Sequence, residues 1–204
     1  MAHPQDPAGI IPPEIGRWLP PLARQAILEA FGKSLPDPER CALEEALRDP
    51  RFTVRAGTFV TLTREGRLRG CIGNLAPTDA LVASVRRNAL HAAFHDPRFS
   101  PLAPDELDRV RIEVSVLSVP QKLAFSGPQE LLARLVSGRD GVILKRGVSS
   151  ATFLPQVWEQ LPRKEDFLGQ LCIKAGLPRT AWKEPGTEIE TYRVQAFEEH
   201  GRGC

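Results

Sequence analysis

Between Thr58 and Gly73 the chain changes period, and this stretch constrains the fold more than any other. Phe59-Val60-Thr61-Leu62-Thr63 is rich in β-branched and aromatic residues, Arg64-Glu65-Gly66 carries a turn signal, and Arg67-Leu68-Arg69-Gly70-Cys71 returns. Two such runs joined by a glycine-containing turn predict a β-hairpin. A second hairpin is predicted at Val142-Ile143-Leu144 and Ala151-Thr152-Phe153-Leu154, around Lys145-Arg146-Gly147.

Each hairpin is followed by a helix and then a strand. After the first, Asp79 is placed to cap a helix running to about His95, with Leu81, Val85, Ala89 and Ala92 on its apolar face. Val110-Ile112-Val114-Val116 then alternates with Arg111-Glu113-Ser115, the pattern of a half-buried strand. After the second hairpin, Lys164 to Ala175 reads as a helix, with Phe167, Leu168, Leu171 and Cys172 on one face and Gly176 and Pro178 beyond it. A last strand is expected over about Glu188 to Phe197. The chain thus repeats strand, strand, helix, strand without repeating residues. Helices at about Leu22–Phe31 and Asp37–Arg48 precede the first unit, and a short one from Pro128 to Val136 precedes the second. Helices alternating with hairpins give an α+β fold with a mostly antiparallel sheet.

Composition removes several function classes. No apolar run reaches the roughly 20 residues of a membrane helix. Residues 1–16 carry four prolines and neither an amphipathic period nor a signal-peptide pattern, so they read as a flexible tail on a cytoplasmic protein. The 27 basic and 25 acidic side chains nearly balance, and aromatics make up 6%, so the footprint of a nucleic-acid binder is missing. Cys41, Cys71, Cys172 and Cys204 have neither zinc nor disulfide spacing. Cys41 and Cys172 read as buried thiols in helices, and Cys204 lies on a terminal tail at 198–204. His91 and His95 could share a helix face, but no third ligand is signalled, so no metal and no cofactor is expected.

Cys71 has unusual surroundings. Strand alternation puts Arg69 on its face, and a guanidinium beside a thiol favours the nucleophilic thiolate. Gly70 and Gly73 would leave the backbone open to a ligand, and the amides of Cys71, Ile72 and Gly73 could form an anion-binding nest. The alternative is a cysteine packed at a tight strand end. Asp96-Pro97-Arg98-Phe99 either ends a helix or presents Arg98 to an anion. Glu113 is a surface residue or a cleft acid, and Gln156 is the polar member of an otherwise apolar strand-to-helix turn.

Phe59-Val60-Thr61-Leu62, Leu68-Arg69-Gly70-Cys71-Ile72-Gly73, Ala92-Ala93-Phe94 with Asp96-Pro97-Arg98-Phe99, Glu113-Val114-Ser115-Val116-Leu117, Asp140-Gly141, Phe153-Leu154-Pro155-Gln156-Val157 and Lys174-Ala175-Gly176-Leu177 occur in this order. Together they resemble the AmmeMemoRadiSam system protein A family, over about residues 20–197. The resemblance implies duplicated units on one curved sheet, in two lobes with a cleft between them: one lobe of about 51–119, the other of 17–50 plus 120–197. It implies a Memo-like protein and a radical SAM enzyme as system partners. Arg69, Cys71, Asp96, Arg98, Glu113 and Gln156 fall on its motif positions. It names a system and a site, not a substrate.

Two functions follow as expectations. In one, Cys71 is the nucleophile or acid–base group of an enzyme acting on a small molecule or peptide, with Arg69 activating it and Glu113 or Asp96 as base. In the other, the protein is a binding module that presents a substrate or partner, and Cys71 packs.

Overall fold

The computed structural model describes residues 11–199. These divide into two compact units, one comprising the residues up to Leu117 together with those from Gln195, the other Ser118–Val194. The fold is α+β, with two four-stranded antiparallel sheets where a single curved sheet was expected.

In the first unit, β1 (Gly57–Arg64) and β2 (Arg67–Asn74) form the predicted hairpin. Arg64 pairs with Arg67 across a two-residue turn whose members, Glu65 and Gly66, have φ of 53° and 73°. Positive φ at both positions matches the right-handed twist of the strands, and glycine adopts it without strain. β3 (Val110–Leu117) pairs with β1 on its other side, and β8 (Val194–Glu198) completes the order β2-β1-β3-β8.

One face of this sheet is core. Val60, Leu62, Ile112 and Val114 are buried, and α2 (Leu19–Ala30) and α4 (Leu81–Phe94) belong to the same core. The predicted face of α4, Leu81, Val85, Ala89 and Ala92, is fully buried. Burying such side chains contributes roughly 1.5–3 kcal/mol for each large one. α4 starts one residue later than predicted: Ala80 precedes it, and the Asp79 carboxylate is taken by Arg87.

Four expectations fail in this unit. Residues 11–16 are not a tail: Ile11 and Ile15 are buried on the core beside α1 (Pro13–Gly16). Ile11 also exchanges two hydrogen bonds with the Gln195 amide, at 2.9 and 2.8 Å. Two apolar residues four apart are too few to show a period, so this anchor is invisible to periodicity; residues 1–10 lie outside the described residues. Glu198 and Glu199 are likewise part of the fold. The Glu199 carboxylate accepts from Arg24 Nε at 2.8 Å and from Ile112 N–H at 3.1 Å, and Arg24 is itself buried. Cys204 is outside the described residues. Finally, α2 and α3 (Asp37–Ala46) belong to this unit, not with the second half as expected, because their apolar residues join the first core. Cys41 on α3 is exposed, which corrects its reading as a buried thiol.

The second unit repeats the plan. β5 (Gly141–Arg146) and β6 (Ser149–Phe153) form a hairpin, and β7 (Glu188–Tyr192) pairs with β5. The short β4 (Gln121–Lys122) lies beside β7, giving β4-β7-β5-β6. In both units, then, the first hairpin strand is flanked by the second hairpin strand and by the strand that follows the main helix. α5 (Pro128–Arg134), α6 (Val157–Gln160) and α7 (Lys164–Lys174) complete the unit. Phe167, Leu168, Leu171 and Cys172 of α7 are fully buried as predicted, and the Phe167 ring stacks on Trp158 at 3.6 Å. The strand predicted over Glu188–Phe197 is two strands: it breaks at Arg193, with β7 in the second sheet and β8 in the first.

Candidate functional site

Cys71 lies on β2, directly opposite Thr61 of β1, and Thr61 lies opposite Glu113 of β3. Residues opposite one another in antiparallel strands point to the same face, so the three form a row across the sheet. Val60, Leu62, Ile112 and Val114 occupy the alternate positions and turn to the core, which leaves the row on the other face. Cys71 is half-buried, and the Thr61 hydroxyl lies 3.4 Å from its sulfur.

Glu113 is also half-buried, and its one hydrogen bond among the described residues is with the Ser115 hydroxyl, at 3.2 Å. Burial pushes its carboxyl above the ordinary glutamate value; the Ser115 bond opposes this, and the like charge of Glu198 adds to it. No ion pair to Glu113 is found among the described residues.

β2 is an outer strand, so alternate backbone groups face away from β1. At Cys71 this edge is filled by side chains. The Cys71 N–H donates to Asp96 Oδ2 at 2.8 Å, and its carbonyl accepts from Arg98 Nη2 at 3.1 Å. Asp96 also accepts from the Arg98 backbone N–H at 3.1 Å, from Nε at 2.9 Å and from Nη2 at 2.7 Å. It is buried, and the Arg98 guanidinium holds its carboxyl well below the usual carboxylate range, with the Cys71 N–H contributing. The Asp96-Pro97-Arg98 turn after α4 is thus both a helix ending and the clamp on Cys71.

Arg69 does not sit where alternation put it. Leu62 pairs with Gly70 but Thr63 pairs with Leu68, so Arg69 is the extra residue of a β-bulge. Its guanidinium is turned to Glu106, with Nε and Nη2 at 3.0 and 2.8 Å from the two carboxylate oxygens, and Nη1 donates to Ser100 O at 2.9 Å. Arg69 in turn pushes the Glu106 carboxyl down to about 2. The guanidinium beside Cys71 is therefore that of Arg98, whose cation is stabilised first by Asp96 and in smaller part by the Cys71 side chain.

The glycines do not open the backbone to a ligand. A Cβ on Gly70 would lie 2.1 Å from the Ala92 carbonyl oxygen of α4, and one on Gly73 would lie 2.3 Å from both Thr58 O and the Phe59 ring. They are needed for close packing. The nest over Cys71, Ile72 and Gly73 is not formed either, since the Cys71 N–H is bound to Asp96 and Ile72 packs against the core. Gln156 is exposed, in the second unit, at the residue before α6. His91 and His95 are exposed with ring centres 5.5 Å apart. Among the described residues no group of three or more His, Cys, Asp or Glu is placed to hold a metal, and no helix is long and apolar enough to cross a membrane.

Sequence reasoning missed Thr61, Ser115 and Glu106. Thr61 was accessible in principle by counting back from the turn, but only with the bulge known in advance.

The AMMECR1 family model matches residues 21–197. A protein of Nanoarchaeum equitans is 43% identical over 155 residues, covering 73% of this chain and 84% of its own. A protein of Methanopyrus kandleri is 39% identical over 196 residues, covering 91% and 89%. The crystal structure of an uncharacterised protein from Pyrococcus horikoshii superposes with a TM-score of 0.76 at 36% identity, over 94% of this chain and 95% of that one.

Proposed function

Since this chain belongs to the AMMECR1 family, we propose that it is a cytoplasmic enzyme or substrate-handling protein that works with a Memo-like protein and a radical SAM enzyme, and that Cys71 is its reacting group. The observation that carries this reading is the row Cys71–Thr61–Glu113. Strands about 4.8 Å apart put its ends roughly 10 Å from each other at the backbone. A small molecule or peptide laid across the row meets a thiol at one end. At the other it meets a carboxyl that burial has made a better proton carrier. Glu113 thereby takes the role of base that Asp96 cannot, because Asp96 is committed to Arg98 and to the Cys71 backbone.

The second unit sharpens the contrast. There Ile143 has Thr152 and Glu190 as its neighbours, as Thr61 has Cys71 and Glu113. Glu190 is neutralised by Lys145 at 2.6 Å. The first unit thus carries the thiol, and among the described residues no cation pairs with its carboxyl.

The competing reading, a binding module, is favoured by one observation. Both backbone groups of Cys71 are engaged by the Asp96–Arg98 clamp, which leaves no oxyanion site at that residue. Complementation of a deletion strain separates the two. Cys71→Ser should fold, with a stability change of about 1–2 kcal/mol or less, and should fail to restore the cellular phenotype. Full complementation by Cys71→Ser would leave the binding module as the reading.

A further inference from the structure

Arg98 is fixed along one edge by Asp96, and beyond that edge its guanidinium meets the Cys71 side chain. Nε and Nη2 donate to Asp96 at 2.9 and 2.7 Å, and Nη2 reaches the Cys71 carbonyl at 3.1 Å. The guanidinium carbon lies 5.5 Å from the centre of the Phe99 ring. The side chain has therefore lost much of its freedom before any ligand arrives. Nη1 meets no oxygen acceptor among the described residues, and the side chain is 53% exposed. Two other arginines of this unit are also held by carboxylates, but they engage all three nitrogens. Arg24 does so with Glu199, Leu107 O and Val110 O, and Arg69 with Glu106, Ser100 O and Pro101 O.

We infer that the substrate handled at Cys71 bears an anionic group, a carboxylate or a phosphate, and that the Nη1 edge of Arg98 receives it. The inference rests on the reading of Cys71 as the reacting group. A guanidinium whose orientation is already set binds an anionic oxygen by a charge-assisted hydrogen bond at little further entropic cost. Asp96 neutralises one edge without blocking the other, and so acts as a positioning residue for Arg98. The Phe99 ring, whose centre lies 5.5 Å from the Arg98 guanidinium carbon and 6.0 Å from that of Arg69, limits where the bound group can lie.

The test needs no knowledge of the substrate. Iodoacetate and iodoacetamide both alkylate a thiol, forming the S–C bond as iodide leaves, and differ in charge. Site-resolved mass spectrometry would give both rates at Cys71 and, as an internal reference, at the exposed Cys41. The iodoacetate-to-iodoacetamide rate ratio at Cys71 should exceed that at Cys41 by about fivefold, the scale of one partly exposed ion pair. Arg98→Gln should bring the ratio to the Cys41 value, and Arg98→Lys should leave it between. In the wild-type protein, inorganic phosphate at constant ionic strength should slow iodoacetate and not iodoacetamide, and should shift the Arg98 Nε resonance. Equal ratios at the two cysteines, or a ratio unchanged in Arg98→Gln, would overturn the inference. If neither reagent modifies Cys71, the reading of Cys71 as the reacting group fails. The anion inference is then decided by the Arg98 resonance alone, whose failure to move with phosphate sinks it.

Discussion

The Asp96 carboxylate lies 2.8 Å from the backbone nitrogen of Cys71, on the outer edge of β2 where a further strand would otherwise bond. Together with Arg98 on the Cys71 carbonyl, it replaces a neighbouring strand at a single residue. An open edge invites pairing with another chain, and charged side chains laid along it prevent that.

Removing Asp96 should therefore do more than delete an ion pair. Asp96→Ala leaves the Cys71 N–H without its acceptor and frees Arg98, at an expected cost of about 1–3 kcal/mol. The pH dependence is a separate signature. A carboxyl whose folded pKa is depressed contributes stability above its unfolded value, and that contribution is lost as pH falls through the folded value. Asp96 lies below its ordinary 3.8, and Glu106 falls from 4.5 to about 2. Urea melts of wild type and Glu106→Gln should thus differ above pH 4.5 and converge towards pH 2. A gap that persists unchanged at the acid end would mean that the Arg69–Glu106 pair is not its source.

Gly70 offers a sharp packing test. The nearest atom to a Cβ there is the Ala92 carbonyl oxygen, part of a helix backbone that cannot swing aside. Gly70→Ala should cost about 3 kcal/mol or more, towards the upper end of overpacking effects. Gly66→Ala, in the open turn with φ of 73°, should cost roughly 1 kcal/mol from backbone strain alone. Thermal melts of the two variants would rank them. A harmless Gly70→Ala would restore the view that this glycine keeps the backbone open for a ligand.

The hairpin, the α4 and α7 faces and the repeated order of elements were legible because each rests on a local period. The orientation of Cys71 was not. Counting straight back from the turn at Glu65-Gly66, in the register Arg64–Arg67, would set Cys71 opposite Val60, a core position. The bulge at Arg69 shifts the pairing by one residue, and a shift of one turns every later side chain to the other face. That shift puts Cys71 beside Thr61 and in line with Glu113, and it turns Arg69 to Glu106. Nothing in the residue pattern announces it: the bulge lies where a buried arginine finds its carboxylate, 37 residues away. The clamp was half legible, since Asp96 and Arg98 stood out as a pair but their target did not.

A chain starting at Arg17 should be markedly less stable. It loses Ile11 and Ile15 from the core and both hydrogen bonds to Gln195, and it uncovers Phe197, whose ring packs on Gly16. Ile15→Ala alone should cost about 2–5 kcal/mol. Equal melting of chains starting at Arg17 and at Ile11 would show that residues 11–16 contribute nothing to the core.

Glu113 gives the prediction that joins stability to function. Its carboxyl is raised by burial, which reverses the sign found for Asp96. Below the unfolded value near 4.3 the group is neutral in both states and has no effect on folding. As pH rises through the folded value, the native state must either hold a half-buried charge or retain a proton that the unfolded chain has released, and stability falls. Glu113→Gln removes that penalty, keeps the shape and can still bond Ser115. The variant should therefore melt higher than wild type at pH 8 and level with it near pH 4. It should also fail in complementation if the carboxyl carries a proton to or from the substrate at Cys71. A purely structural glutamate would show the opposite pairing: unchanged or lower stability at pH 8 and full complementation. Carboxyls that destabilise the fold they sit in are retained where chemistry needs them, so a gain in melting temperature together with a loss of function would separate the two explanations in one variant.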